Sequence, residues 1–462
     1  MPRSEADGGR SVFLRRSGYV RRWLILSVAI GVIAGLGAVT FYLALDYAGR
    51  LLLGVLADYR IPEPDGDGGD PGSDGFSRPW AIPLVTCGGA LVSAWLVARF
   101  APEAAGHGTD DAIEAAHTDP RSIRVRAIVV KTIASALTIG SGGSGGREGP
   151  AAQISAGFGS LLARRLDLSD EDARAAVTLG IGSGIGAIFG APLGGAVLGA
   201  SILYRRDFDY RILVPGLLAS GTAHVLFGSI LGFEPLFGDV AGDFAFTAPG
   251  ILGWCVLLGV AAAAVGWLYA RTFYATVALA GRLPGGPVVK PALGGLAVGL
   301  LGLLIPPVLA SGYGWAQKAT TVDTLMQIPL WIVLVAPFAK ILATSLSIGT
   351  GGSGGIFGPG VVIGAFLGAA LWRLGDLAGL PAIPENPGVF VVIGMMACFG
   401  SVAHTPLAVM IMVAEMTSSF SVLPGAVVAV GVAALLINRT SVSIYRAQRE
   451  DRAAAAAERA GG

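Results

Sequence analysis

Ile139–Pro150 reads IGSGGSGGREGP and Ile348–Pro359 reads IGTGGSGGIFGP, nine of twelve positions identical at a constant offset of 209 residues. Lys131 and Lys340 keep that offset ahead of the two stretches. A second match pairs FGAPLGGAVLGASI, Phe189–Ile202, with VAHTPLAVMIMVAEM, Val402–Met416; aligning Pro192 with Pro406 gives an offset of 214, five residues gained in an intervening loop. The chain therefore reads as a duplicated domain, with its halves joined near residues 205–250.

The composition says where such a domain resides. Of 462 residues 53% are hydrophobic and 14% charged, and mean hydropathy is +0.68. That balance belongs to a multi-pass membrane protein and not to a large soluble enzyme. A net charge of +1 provides no global field for nucleic acid or an acidic partner. Cys87, Cys255 and Cys398 lie in separate apolar runs without metal-ligand spacing and read as small core residues.

Trp23–Leu45, Trp80–Val97, Ile251–Tyr269, Pro291–Leu309 and Leu330–Ser347 approach the ~20 apolar residues of a membrane-crossing helix. Ile154–Leu162, Leu193–Tyr204, Gly360–Trp372 and Pro406–Met416 are shorter and point to broken or half-length helices. Arg10, Arg15, Arg16, Arg21 and Arg22 precede the first span, and Arg439, Arg446, Arg449, Arg452 and Arg459 follow the last. The positive-inside rule then puts both ends in the cytoplasm, which requires an even number of crossings of the cell membrane. The polar stretch Arg60–Pro79, RIPEPDGDGGDPGSDGFSRP, is expected on the opposite side as a solvated acidic loop, since no glutamate completes a calcium-ligand set. From Ala453 onward the chain is an Ala-rich tail.

Glycine this dense breaks a helix, and broken backbone at membrane depth has to line a cavity or be buried in protein. Two related breaks, one per half, mark a binding site at the repeat interface. Each ends in Gly-Pro, and proline is tolerated in a first helical turn, so a helix should start after each break. Helix N-termini offer free N–H donors and about half a positive charge, a ready anion site. Glu148 lies where the anion should sit, and a lone carboxylate at membrane depth costs ~2.5–3.5 kcal/mol on insertion scales. Ionised, it would occupy and block the site; protonated, it would swing away. The plainer alternative is a Glu148–Arg147 pair facing water at a vestibule. Lys131 and Lys340 either raise the potential at the site or reach out to an interface.

Together GREGP at Gly146–Pro150, GGIFGP at Gly354–Pro359, APLGG at Ala191–Gly195 and the late Tyr445 resemble the CLC family of chloride channels and chloride/proton antiporters, over most of the chain from Trp23 to Tyr445. The resemblance implies an all-α polytopic membrane protein, a CLC-type inverted repeat of many tilted and half-length helices, forming a homodimer with one pore per subunit in the lipid bilayer. It implies anion transport without catalysis, with chloride as the ligand and no cofactor or metal. Residues 1–22 would form a cytoplasmic N-terminal segment, 23–204 the first repeat, 205–250 the connection, 251–438 the second repeat, and 439–462 a short cytoplasmic tail without the family's regulatory nucleotide-binding domain. By the resemblance Glu148 is the gate, the backbone at Arg147–Gly149 and at Ile356 and Phe357 holds anions, and the Tyr445 hydroxyl donates to the central one.

Two departures stand out. The family's first motif, Gly-Ser-Gly-Ile-Pro, falls on Gly106, His107, Gly108, Thr109 and Asp110, so a histidine replaces the selectivity serine while the His107 and Gly108 amides remain as anion ligands. Counting from Pro192, the family's inner glutamates fall on Ser201 and Ile202, neither of which carries a proton, whereas Ser201 pairs at offset 214 with Glu415. This favours a channel or a weakly coupled transporter over a fully coupled chloride/proton antiporter. Glu415 itself reads as a hydrogen-bonded carboxylate at a helix end.

Rival functions have weaker support. GGSG at Gly142–Gly145 fits the GxSG of an intramembrane serine protease with Ser144 as nucleophile and His224 or His404 as base, but Gly351–Gly354 repeats it with Ser353, and one protease needs one nucleophile. A phosphate-binding loop fails because Arg147 and Glu148 stand where Lys and Ser/Thr are needed. A cation transporter using Glu148 and Glu415 is opposed by the dipoles of two helix N-termini.

Overall fold

The computed structural model describes residues 19–73, 75–242, 244, 249–453 and 455. Arg10, Arg15, Arg16, Arg459 and nearly all of the Ala-rich tail lie outside the described residues. Within them the chain is helical, with no strand.

The first half runs α1 (Tyr19–Gly49), α2 (Ala81–Phe100), α3 (Thr109–His117), α4 (Val125–Gly140), α5 (Glu148–Arg165), α6 (Asp170–Ile188), α7 (Pro192–Ser201) and α8 (Tyr210–Leu231). The second runs α9 (Ile251–Arg282), α10 (Val289–Leu304), α11 (Tyr313–Lys318), α12 (Val322–Gln327), α13 (Leu330–Ile348), α14 (Phe357–Leu377), α15 (Gly388–Val402), α16 (Pro406–Met416) and α17 (Leu423–Ile437). Apart from the extra α12, each element of the first half has a successor in the second. Offsets of 209 carry α5 onto α14, and 214 carries α7 onto the start of α16. Equivalent elements also touch: α2 packs on α10, α7 on α16, and α5 on α14. Contact between equivalents is what a twofold-related repeat produces.

Seven described helices are long and apolar enough to cross a membrane, and α10, α15 and α16 are apolar but shorter. Three expectations need correction. The short segment expected over Gly360–Trp372 lies in α14, which is 21 residues long and one of the seven. The span expected over Pro291–Leu309 stops at Leu304, because Pro306 and Pro307 turn the chain into a 3₁₀ segment at Pro306–Val308. Residues 205–250, expected only to connect, contain α8, 22 residues long and packed against α1, α6 and α7. Its counterpart is α17, so the first half extends through Leu231.

Helix starts follow local chemistry. Both α5 and α14 begin directly after the Gly-rich breaks, with Pro150 and Pro359 in their first turns. Arg164 and Arg165 sit in the last turn of α5, where the helix dipole favours cations. Ser169 caps α6 by accepting the Asp172 N–H. Close helix contact depends on small residues; a Cβ at Gly182 of α6 would lie 2.5 Å from the Gly195 carbonyl of α7.

Candidate functional site

The two breaks meet. Gly146 N–H donates to the Gly355 carbonyl at 2.8 Å and Gly355 N–H donates back to Gly146 at 2.7 Å, a two-residue antiparallel bridge between the halves. This closes the pseudo-twofold centre and aims the starts of α5 and α14 at one place. The turn before α3 joins it: Gly106 N–H donates to the Gly352 carbonyl at 2.9 Å, and Gly354 N–H donates to the Gly106 carbonyl at 3.3 Å. Its counterpart is Ala310, which donates to Gly142 at 3.0 Å and accepts from Gly145 at 3.3 Å. Gly106 and Ala310 both have positive φ, 72° and 47°, as do Gly108 and Gly312 at 80° and 82°. Residues 105–109 and 309–313 are thus a third repeat pair, at offset 204. They share only glycine 108/312, too little to be seen in the sequence.

Lys131 and Lys340 neither reach an interface nor point into the site. Both are buried, and each ammonium holds two carbonyls of these turns: Ala104 and Gly106 at 3.2 and 2.8 Å, Val308 and Ala310 at 3.0 and 2.8 Å. Each thereby adds a charged donor to the irregular backbone of one turn, beside the bonds that Gly106 and Ala310 accept from Gly354 and Gly145.

Glu148, 1% exposed, turns its carboxylate into the centre. Its Oε1 accepts the Gly358 N–H at 2.7 Å, and its Oε2 accepts the Tyr313 hydroxyl at 3.4 Å. The Phe357 N–H and its own N–H also reach it. Amides at the starts of α5 and α14 therefore hold an anion already, the protein's own carboxylate. Glycine makes the approach possible: a Cβ at Gly149 would lie 2.1 Å from the His107 carbonyl and 2.9 Å from Gly355 Cα. The Ile356 carbonyl accepts the Tyr269 hydroxyl at 2.8 Å.

Arg147 does not pair with Glu148. Its Nη1 donates to Asp67 Oδ1 and Oδ2 at 3.0 and 2.9 Å, and its guanidinium lies 5.5, 5.5 and 5.8 Å from the rings of Tyr42, Tyr313 and Phe189. The alternative of a water-facing Arg147–Glu148 pair is thereby corrected, since one member is buried at the centre and the other is held by the polar loop.

His107 and Tyr445 stand together, ring centroids 6.0 Å apart, with Phe399 6.1 Å from Tyr445. His107 makes one side-chain hydrogen bond, Nε2 to Asp110 Oδ2 at 3.2 Å. Asp110, missed in the sequence, gathers the wall around them. It also accepts the Tyr274 hydroxyl at 3.1 Å and the N–H groups of Arg446 and Ala447 at 3.2 and 3.1 Å. This ties α3 and α9 to the segment that carries Tyr445.

Ser201 and Ile202 are engaged by other groups. The Ser201 hydroxyl bonds to the Val197 and Leu198 carbonyls of its own helix, and Ile202 is packed in the apolar core. Glu415 caps α7, accepting the Leu193 and Gly194 N–H groups at 3.0 and 2.7 Å. Ser144 is no activated nucleophile: its buried hydroxyl is 2.9 Å from Thr344 Oγ1. His404 is engaged by Asn438 and the Val442 carbonyl, and His224 packs against Phe233. Among the described residues no cluster of His, Cys, Asp and Glu has the arrangement of a metal site.

Comparison with known proteins bears on the family and the fold. A putative chloride channel protein, ClcB-like, of Ralstonia nicotianae is 32% identical over 74% of this chain and 79% of its own length. An H⁺/Cl⁻ exchange transporter, ClcA, of Citrobacter koseri is 28% identical over 89% of this chain and 86% of its own. In fold the chain matches a slow cyanobacterial Cl⁻/H⁺ antiporter with TM-score 0.76 at 22% identity, covering 92% of this chain and 96% of that one. A CLC-type fluoride/proton antiporter matches with TM-score 0.74 at 22% identity, over 94% of this chain and 100% of the other. A family model described as voltage gated chloride channel spans residues 89–438, a range that takes in both Gly-rich breaks, and on that match the protein belongs to the CLC family and to its anion transporters.

Proposed function

We propose that this chain moves chloride and related small anions through a pore in which the Glu148 carboxylate is the gate. The observation that carries this reading is the Glu148 Oε1 to Gly358 N–H bond at 2.7 Å. A carboxylate in the amide cradle competes with a transported anion for the same donors, and a proton removes it from the competition. The amides of His107, Gly108, Arg147, Gly149, Ile356 and Phe357 and the Tyr445 hydroxyl form the anion's route.

Proton coupling is weak or absent in this reading, because Ser201 and Ile202 present no carboxylate at the positions of the family's inner glutamates. Full coupling is the second reading, favoured by the relatives described as H⁺/Cl⁻ exchangers. Two copies would assemble as a homodimer in the cell membrane. The arginine-rich ends support a cytoplasmic placement for both termini, with the loop from Arg60 on the other side.

Chloride efflux from proteoliposomes, recorded together with external pH, tests this for wild type and Glu148→Ala. Chloride movement without protons in both proteins supports an uncoupled pathway. Uphill proton movement in wild type that disappears in Glu148→Ala supports the second reading. No anion movement in either protein refutes the proposal.

A further inference from the structure

The polar loop is not simply solvated. Its 3₁₀ turn Asp65–Asp67 is bound to the body: Gly66 N–H donates to the Leu236 carbonyl at 3.0 Å, and Gln317 Nε2 donates to Asp65 Oδ2 at 3.1 Å. Lys318 Nζ donates to the Pro71 carbonyl at 2.8 Å. At Gly314 the approach is so close that a Cβ would lie 1.9 Å from the Pro62 carbonyl. The loop thereby delivers both Asp67 oxygens to Arg147, which is 5% exposed and adjoins Glu148 in the chain. Tyr313 packs on Arg147 and donates to Glu148, so the loop acid, the arginine and the gate form one connected group.

We propose that Asp67 is a positioning residue for the gate: by holding and neutralising Arg147 it sets the pH at which Glu148 leaves the anion site. This rests on Glu148 being the gate. An uncompensated guanidinium next to Glu148 favours the ionised, blocking carboxylate, and the Asp67 charge cancels most of that pull. Other groups share the neighbourhood. Tyr269, Tyr313 and Tyr445 lie around Glu148. Tyr42 and Asp46 of α1, together with Arg50, Arg60, Glu63 and Asp70, line with Asp67 and Arg147 a cavity of about 480 Å³. His224 and Glu234 line a second cavity, of about 30 Å³, which Asp67 and Arg147 also border. Asp46 is engaged by Arg50 at 2.8 Å and Asp70 by Arg60 at 3.0 Å, which leaves Asp67 as the carboxylate on Arg147.

The experiment is chloride efflux against pH from liposomes containing full-length wild type, Asp67→Asn, Asp67→Glu, Asp67→Asn/Arg147→Gln and Glu148→Gln. The flux midpoint of Asp67→Asn should fall by about one pH unit. Asp67→Glu should keep the wild-type midpoint, and Arg147→Gln in the Asp67→Asn background should bring it back. A loss of packing alone would lower flux at every pH without moving the midpoint. If Asp67→Asn passes no chloride at any pH, the double variant decides, because restored flux with the wild-type midpoint is expected only from charge compensation. A wild-type midpoint in Asp67→Asn, or a double variant that remains shifted or silent, overturns the role of Asp67. A Glu148→Gln profile unchanged from wild type overturns the gate itself and this inference with it; a flat Glu148→Gln profile beside an unshifted Asp67→Asn overturns only the inference.

Discussion

The Glu148 carboxylate is held by two kinds of donor, and they should be separable. Backbone amides at the start of α14 cannot be mutated away, but the Tyr313 hydroxyl at 3.4 Å can. A hydrogen bond to the ionised form favours that form, so Tyr313→Phe should raise the pH at which chloride flux appears. The size follows from the bond: a net ~0.5–1.5 kcal/mol is at most about one pH unit, and the long distance places it in the lower half. Efflux against pH reads this directly; a midpoint that falls would mean the hydroxyl does not stabilise the seated carboxylate. At this scale the sequence was informative where a residue type is costly at membrane depth, as Glu148 is, or where backbone crowding demands glycine, as at Gly149. Tyr313, Asp67 and Asp110 were not legible. Each acts across 164 or more positions or from an unrelated loop, and a tyrosine or aspartate in a polar stretch carries no local mark of such a partner.

Among the elements, α7 and the polar loop illustrate two ways of satisfying exposed ends. In α7 the free N-terminal amides of Leu193 and Gly194 are taken by Glu415 from the end of α16, a cap that crosses from one repeat to the other. Glu415→Gln keeps the shape and removes the charge that favours a helix N-terminus, so it should destabilise the protein by ~1 kcal/mol. Thermal unfolding in detergent measures it, and chloride flux should persist because Glu415 lies outside the anion route. The loop has a different weakness. Glu63 is half-buried beside Asp67, Asp46 and Asp70, and burial first, then these neighbours, raises its carboxyl to about 7. Because the folded loop binds this proton more tightly than an unfolded one, the loop is penalised as pH rises from about 4.3, the free glutamate value, to about 7, and the penalty is complete above that. Hydrogen-exchange protection of residues 60–73, corrected for intrinsic rates, should therefore increase from pH 8 to pH 6 in wild type and stay level in Glu63→Gln. The reverse trend would show that the loop is secured mainly by ionised Glu63. Neither element was fully read from sequence: the cap was foreseen as a type but not its recipient, and the loop was expected to be solvated although Gly66, Asp65 and Pro71 bond to the body; a third, α8, was missed because Arg211, Pro215 and Gly216 interrupt its apolar run.

The whole molecule is organised by its duplication, and the strongest sequence signal was the one that reflects this. Gly-rich breaks repeat visibly because both need the same small residues for the same close crossing. The turns at Gly106 and Ala310 repeat just as faithfully in backbone, yet positive φ and one shared glycine are all that they keep in common. What preserves them is the matched grip of two buried lysines. Each ammonium makes two bonds to carbonyls, and bonds to a charged donor are worth ~1.5–3 kcal/mol apiece. Replacing either lysine with methionine also removes a buried charge, which offsets part of that loss. Lys131→Met and Lys340→Met should thus each cost roughly 2–4 kcal/mol, with melting temperatures in detergent lowered by comparable amounts. Chloride flux should separate them from Glu148 variants, because a loosened turn reduces transport at every pH while a changed gate moves its pH midpoint. If one variant melts like wild type and the other does not, the two lysines do not carry equivalent structural loads, and the symmetry of their contacts is geometric without being energetic.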